Sequence, residues 1–133
     1  MQTTPQPQTA TPTSKTVLIV DDFASVRFYH ANLLRQAGFR SIDARDGFEA
    51  LEKLRLQKVD LILLDMVMPK MSGEEFIRKI RAMAEFSKIP LLVITSESVG
   101  DKIREFSGDG PLGFAMKPVI PGTLLEAVRK LIA

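Results

Sequence analysis

The chain contains no cysteine, so it can build neither a disulfide framework nor a thiolate metal site, which fits a reducing compartment. Its one histidine, His30, sits in a helical stretch with no acid or base beside it in sequence, and it reads as a surface residue. Lysine and arginine number 18 against 16 acidic residues, and the two signs are interspersed along every segment. That mixture lacks the one-sided basic footprint of a nucleic-acid binder. No apolar run exceeds the length of a strand, so membrane insertion is not expected. The opening MQTTPQPQTATPTSK has neither the cationic start nor the apolar core of a signal peptide, and residues 1–14, rich in Thr, Pro and Gln, are expected to form a disordered tail. A glycine-rich nucleotide-phosphate loop is also missing. The expected setting is the cytoplasm.

What is present is the material of one α/β domain. A chain of 133 residues can bury a core without crosslinks. Strand-like runs occur at 16–20 (TVLIV), 40–44 (RSIDA), 59–64 (VDLILL), 90–95 (PLLVIT) and 112–116 (LGFAM). Three of them are apolar at consecutive positions, as strands covered on both faces are, and these should be central. Stretches of helical period lie between: 24–37, stopping at Gly38; a second carrying Phe48, Leu51 and Leu54; a third carrying Phe76, Ile77, Ile80 and Met83 behind Ser72 as N-cap. A last helix over 121–132 opens at Pro121 and carries Leu124, Leu125, Val128 and Leu131. Between the fourth and fifth strands, Gly100, Gly108, Gly110 and Pro111 leave room only for a short helix near 99–107, frayed at its ends.

In a parallel sheet, ligands gather at the carboxyl ends of the strands. The first strand ends in Asp21 and Asp22, the third in Asp65, the fourth in Thr95, and the fifth runs into Lys117 and Pro118. Taken singly, each has a plain structural reading: an Asp pair can cap a helix, one Asp can open a turn, and a Thr or Lys can be solvated. Taken together, three carboxylates on one edge repel one another by a few kcal/mol per pair, roughly, at intermediate dielectric. A hard divalent cation relieves that repulsion. Oxygen donors without His or Cys suit Mg²⁺.

Residues 15–133 resemble the receiver domain of two-component response regulators, particularly the single-domain chemotaxis type. The resemblance rests on VLIVDD before a helix, LLDMVMPKMSG, LLVITSES and GFAMKP, in that order and spacing. It implies a flavodoxin-like doubly wound sheet of five parallel strands in the order 2-1-3-4-5, with five helices. It also implies that Asp65 is the phosphoacceptor, taking a phosphoryl group from a histidine kinase or histidine phosphotransferase. Asp22 would then bind Mg²⁺ directly and Asp21 through a water, with Asp65 and the backbone carbonyl of Val67 completing the protein ligands. Lys117 would pair with phosphoryl oxygens, held by a cis Lys117–Pro118 bond, while Met68, Pro69 and Gly73 shape the loop.

The resemblance further makes Thr95 and Phe114 a switch pair acting on the face of the fourth helix, fifth strand and fifth helix. Phe114 stands where many receivers have Tyr, and Ser96 where Ala or Gly is common. Val67, without the polar side chain some receivers carry, should slow loss of the phosphoryl group, and Glu97 stands near enough to offset that. Ending after the fifth helix, the chain is expected to act by binding a downstream protein rather than through a fused output. The competing expectation is a scaffold of the same fold that ignores phosphate. A turnover phosphohydrolase is disfavoured, since no general acid stands beside the nucleophile.

Overall fold

Runs that are apolar at every position need cover on both faces. The runs at 16–20, 61–65 and 91–95 receive it in a computed structural model of the chain, which describes residues 15–66, 70–95, 103–105, 108 and 110–132. Strands β1 (Thr16–Val20), β2 (Arg40–Ala44), β3 (Leu61–Asp65), β4 (Leu91–Thr95) and β5 (Leu112–Met116) form one parallel sheet in the order β2-β1-β3-β4-β5. Every residue of β1, β3 and β4 is buried, and these three are the central strands. Helices α1 (Ala24–Gln36), α2 (Gly47–Leu56), α3 (Gly73–Arg81), α4 (whose described part is 103–105) and α5 (Pro121–Ile132) connect them. This is the flavodoxin-like arrangement.

Period-two alternation divides the core. Leu18, Val20, Ile62, Leu64, Leu91 and Val93 point to one face, where α2 and α3 supply Leu51, Leu54, Phe76, Ile77 and Ile80. Val17, Ile19, Leu61, Leu63, Leu92 and Ile94 point to the other, against Leu34 of α1 and Leu124 and Val128 of α5. Each fully buried aliphatic side chain contributes about 1.5–3 kcal/mol by leaving water. The polar strand ends ride on that apolar frame.

The helix ends follow local chemistry. Ser72 accepts the Glu75 N–H at 3.1 Å, as its N-cap position requires. Asp46 caps α2 through the Glu49 N–H at 2.9 Å, and Glu49 reaches back to accept the Arg45 N–H at 2.8 Å. Gly38, at φ 93°, lets Phe39 N–H reach Leu34 O (2.9 Å) while its own N–H reaches Arg35 O (3.0 Å), a Schellman ending.

Some expectations move. The third strand begins at Leu61 rather than 59, because Asp60 turns to join β1: its Oδ2 accepts the Thr16 N–H and its N–H donates to Thr16 O, both at 2.8 Å. Asp65 is therefore the last residue of the strand itself. Phe48, expected on the buried stripe of α2, is 57% exposed, since Gly47, Ala50, Leu51 and Leu54 already fill the inward arc. Met83 lies beyond α3 and is partly buried. His30 is a plain correction: it is only 3% exposed, because its position on α1 turns into the sheet. The expected tail at 1–14, Val67, Met68, Pro69, Ser96, Glu97 and most of the helix near 99–107 lie outside the described residues. Among the described residues, no helix is long and apolar enough to cross a membrane.

Candidate functional site

Register brings the polar strand ends together. Val20 of β1 lies beside Leu64 of β3, so Asp21 follows next to Asp65. Carboxylate oxygens of Asp21, Asp22 and Asp65 all lie within 4.8 Å of one another. From the far side, Lys117 extends its Nζ to 3.2 and 3.4 Å from the two Asp65 oxygens. The Lys117 N–H donates to Thr95 O at 2.9 Å, prolonging the β4–β5 ladder by one step, and the Lys117–Pro118 bond is cis, as expected. Thr95 is buried at the end of β4.

Asp21 is held hard. Its N–H donates to Ala44 O at 3.1 Å, its Oδ1 accepts the Phe23 N–H at 2.9 Å, and its carbonyl accepts from Arg27 Nη1 at 2.7 Å. Burial pushes the Asp21 carboxyl up to about 6; the Phe23 N–H opposes this, and the charge of Asp65, a hydrogen bond shared with it and the charge of Asp22 add to it. The site is short of positive charge. Arg27 also ties the acidic end of β1 to β2, its Nε lying 2.7 Å from Asp43 Oδ2. Sequence reasoning passed over Arg27, whose partners are the carbonyl of Asp21 and the carboxylate of Asp43 on β2.

Beyond Asp65, Gly73 comes back against Met66. Gly73 N–H donates to Met66 O at 3.2 Å, and a Cβ on Gly73 would lie 2.8 Å from Met66 Cα. Only glycine allows that approach, which closes the loop leaving β3. Phe114 on β5 is partly buried against the α2–α3 face, with the Arg104 guanidinium of α4 stacked 5.4 Å from its ring centroid.

The donor set consists of hard oxygens alone, closely spaced and under-compensated, which fits a magnesium-sized cation and gives nothing to a thiophilic one. An acidic cluster with a fixed ammonium at the carboxyl edge of a 2-1-3-4-5 parallel sheet defines the class of signalling receivers.

Comparison with known proteins agrees with that class. The family model for the response regulator receiver domain matches residues 17–129, and the chain belongs to that family. It is 38% identical over 116 residues to the chemotaxis protein CheY-3 of Vibrio cholerae, covering 86% of this chain and 89% of the relative. The chemotaxis protein CheY of Pseudomonas aeruginosa is 36% identical over the same length and is covered to 94%. Among solved structures, the chemotaxis response regulator CheY4 of Vibrio cholerae superposes with a TM-score of 0.81 at 35% identity, over 90% of this chain and 99% of that one.

Proposed function

We propose that this receiver accepts a phosphoryl group on Asp65 from a phosphohistidine of a histidine kinase or phosphotransferase, and that the modified form binds a downstream protein in the cytoplasm. The observation that carries this reading is the contact of Asp65 with Lys117 beside two further carboxylates at 4.8 Å or less. A carboxylate oxygen of Asp65 attacks phosphorus, the donor bond breaks, and the leaving nitrogen keeps the electron pair. Lys117, already within hydrogen-bond reach of Asp65, meets the negative charge gathering on the phosphoryl oxygens. Asp21, Asp22, Asp65 and the Val67 carbonyl would hold Mg²⁺, which when bound supplies charge neutralisation and alignment of those oxygens.

Transmission is proposed to start at Thr95, whose hydroxyl turns toward the phosphoryl group, leaving space that Phe114 enters. The Arg104 stack on Phe114 is then exchanged for a different packing of α4, β5 and α5. Self-catalysed loss of the phosphoryl group resets the switch without making the protein a turnover enzyme. Acetyl phosphate with Mg²⁺ tests the core of the reading. Intact mass should rise by one phosphoryl group, and the gain should vanish in Asp65→Asn and when EDTA replaces the metal. An unmodified wild type refutes it and leaves a phosphate-blind scaffold.

A further inference from the structure

The side chain of Arg27 is only 12% exposed, and it joins three elements at the acidic edge. From α1, its Nη1 donates to the Asp21 carbonyl at the end of β1 and its Nε to Asp43 Oδ2 on β2, both at 2.7 Å. Burying a guanidinium costs desolvation, and its carboxylate partner is half exposed, so the pair adds little to the stability of the fold. Its geometric effect is larger. The carbonyl that Arg27 grips belongs to the peptide unit joining Asp21 to Asp22, and a peptide unit is a rigid plane that carries the Cα atoms of both residues. A guanidinium tied to β2 and to that oxygen sets the tilt of the plane, and with it the directions in which two of the three carboxylates leave the backbone. The neighbouring restraints act elsewhere: Ala44 O holds the Asp21 N–H, and the Phe23 N–H holds the Asp21 carboxylate itself. Of these three, Arg27 alone restrains the link to Asp22.

We propose that Arg27 is a positioning residue for the cation site, a two-point clamp that orients the Asp21–Asp22 peptide so that both carboxylates meet Asp65 at the spacing a small hard cation requires. The inference rests on the Mg²⁺ part of the phosphoacceptor reading and goes beyond it by assigning the residue that sets the geometry of the site. Mg²⁺ tolerates little departure from octahedral coordination, so a pair of carboxylates free to tilt binds it less well. Groups that orient ligands in this way typically change metal affinity by roughly 10–100-fold. Charge alone predicts the opposite sign. The Arg27 cation opposes the approach of a second cation, so deleting it would tighten binding if its charge were all that mattered.

The experiment measures Mg²⁺ affinity by titration calorimetry for the intact wild type, Arg27→Met and Arg27→Lys, with urea unfolding in EDTA to verify that each variant is folded. Arg27→Met keeps the aliphatic stem and is expected to bind Mg²⁺ about tenfold more weakly. Arg27→Lys keeps the charge but loses the planar fork that bridges the two acceptors, so it should also bind more weakly than wild type. With acetyl phosphate as donor, the loss should appear in the half-saturating Mg²⁺ concentration rather than in the rate reached at saturating Mg²⁺. An affinity in Arg27→Met equal to or tighter than wild type overturns the clamp and leaves Mg²⁺ binding in place. Wild-type affinity in Arg27→Lys overturns it likewise, and that variant decides the case if Arg27→Met does not fold. A wild type that binds no Mg²⁺ overturns the metal-dependent reading, and the clamp with it.

Discussion

Asp21 and His30 are both buried and titratable, and burial moves them in opposite directions. Asp21 titrates near 6 in the fold against 3.8 when free, so the folded state holds a proton that the unfolded chain gives up. Its contribution is full below about 4 and is lost as pH rises through about 6, on the order of 1–2 kcal/mol after allowing for its access to water. His30 is lowered from 6.5, so its contribution is present above 6.5 and is lost as pH falls through its folded value. Replacing it with leucine removes a buried, unpartnered nitrogen. Urea unfolding of His30→Leu should give a gain of about 1 kcal/mol at pH 5 and a smaller one at pH 8. A variant less stable than wild type at pH 5 would refute this account. Cation binding needs Asp21 ionised, so Mg²⁺ titrated near pH 6 should release protons. Calorimetry in two buffers of different ionisation enthalpy measures that release, and Asp21→Asn should remove it.

At the scale of elements, the segment before β5 carries a lesson about glycine. Gly108 and Gly110 read from sequence as helix breakers, and Gly108 does adopt φ +68°. Gly110 answers to something else. Arg81, at the end of α3, donates to Ser87 O (2.9 Å), Ile89 O (2.7 Å) and Pro111 O (2.9 Å), and a Cβ on Gly110 would overlap its guanidinium. An arginine pinned by three carbonyls cannot step aside without losing them. Gly110→Ala should therefore cost about 1–3 kcal/mol in urea unfolding, and much less when made in an Arg81→Met background, because the clash is then with a yielding side chain. Equal costs in both backgrounds would dismiss the arginine as the cause. By contrast, Ser72, Gly38 and Pro121 act within one turn of their own position, and their roles were legible directly.

For the whole molecule, three acidic residues in two strand ends and one lysine from a third must stay converged against their own repulsion. The apolar faces of β1, β3 and β4 hold them there, so a cation that relieves the repulsion should stabilise the entire fold. Mg²⁺ at a hundred times its dissociation constant is expected to add about 2.7 kcal/mol, seen as a higher urea midpoint that EDTA reverses. Asp22→Asn should shrink the effect while raising the stability of the metal-free protein, since it removes one of the crowded charges. A midpoint indifferent to Mg²⁺ at any concentration would argue against cation binding at this edge.

The composition and periodicity of this chain determined its layers: apolar pentads that need two covered faces, helices between them, and caps at Ser72 and Gly38. They also placed Asp21, Asp65, Thr95 and Lys117 at strand ends, because a strand's last residue is a local property. Which strands lie side by side, and hence that Asp21 meets Asp65 while Lys117 crosses from β5, was carried by family resemblance and is fixed physically by long-range pairing. His30, Phe48 and Arg81 escaped sequence reasoning for the same reason. The inward arc of a helix is set by what packs against it, and an arginine's partners can lie 30 positions away, where no periodicity reaches.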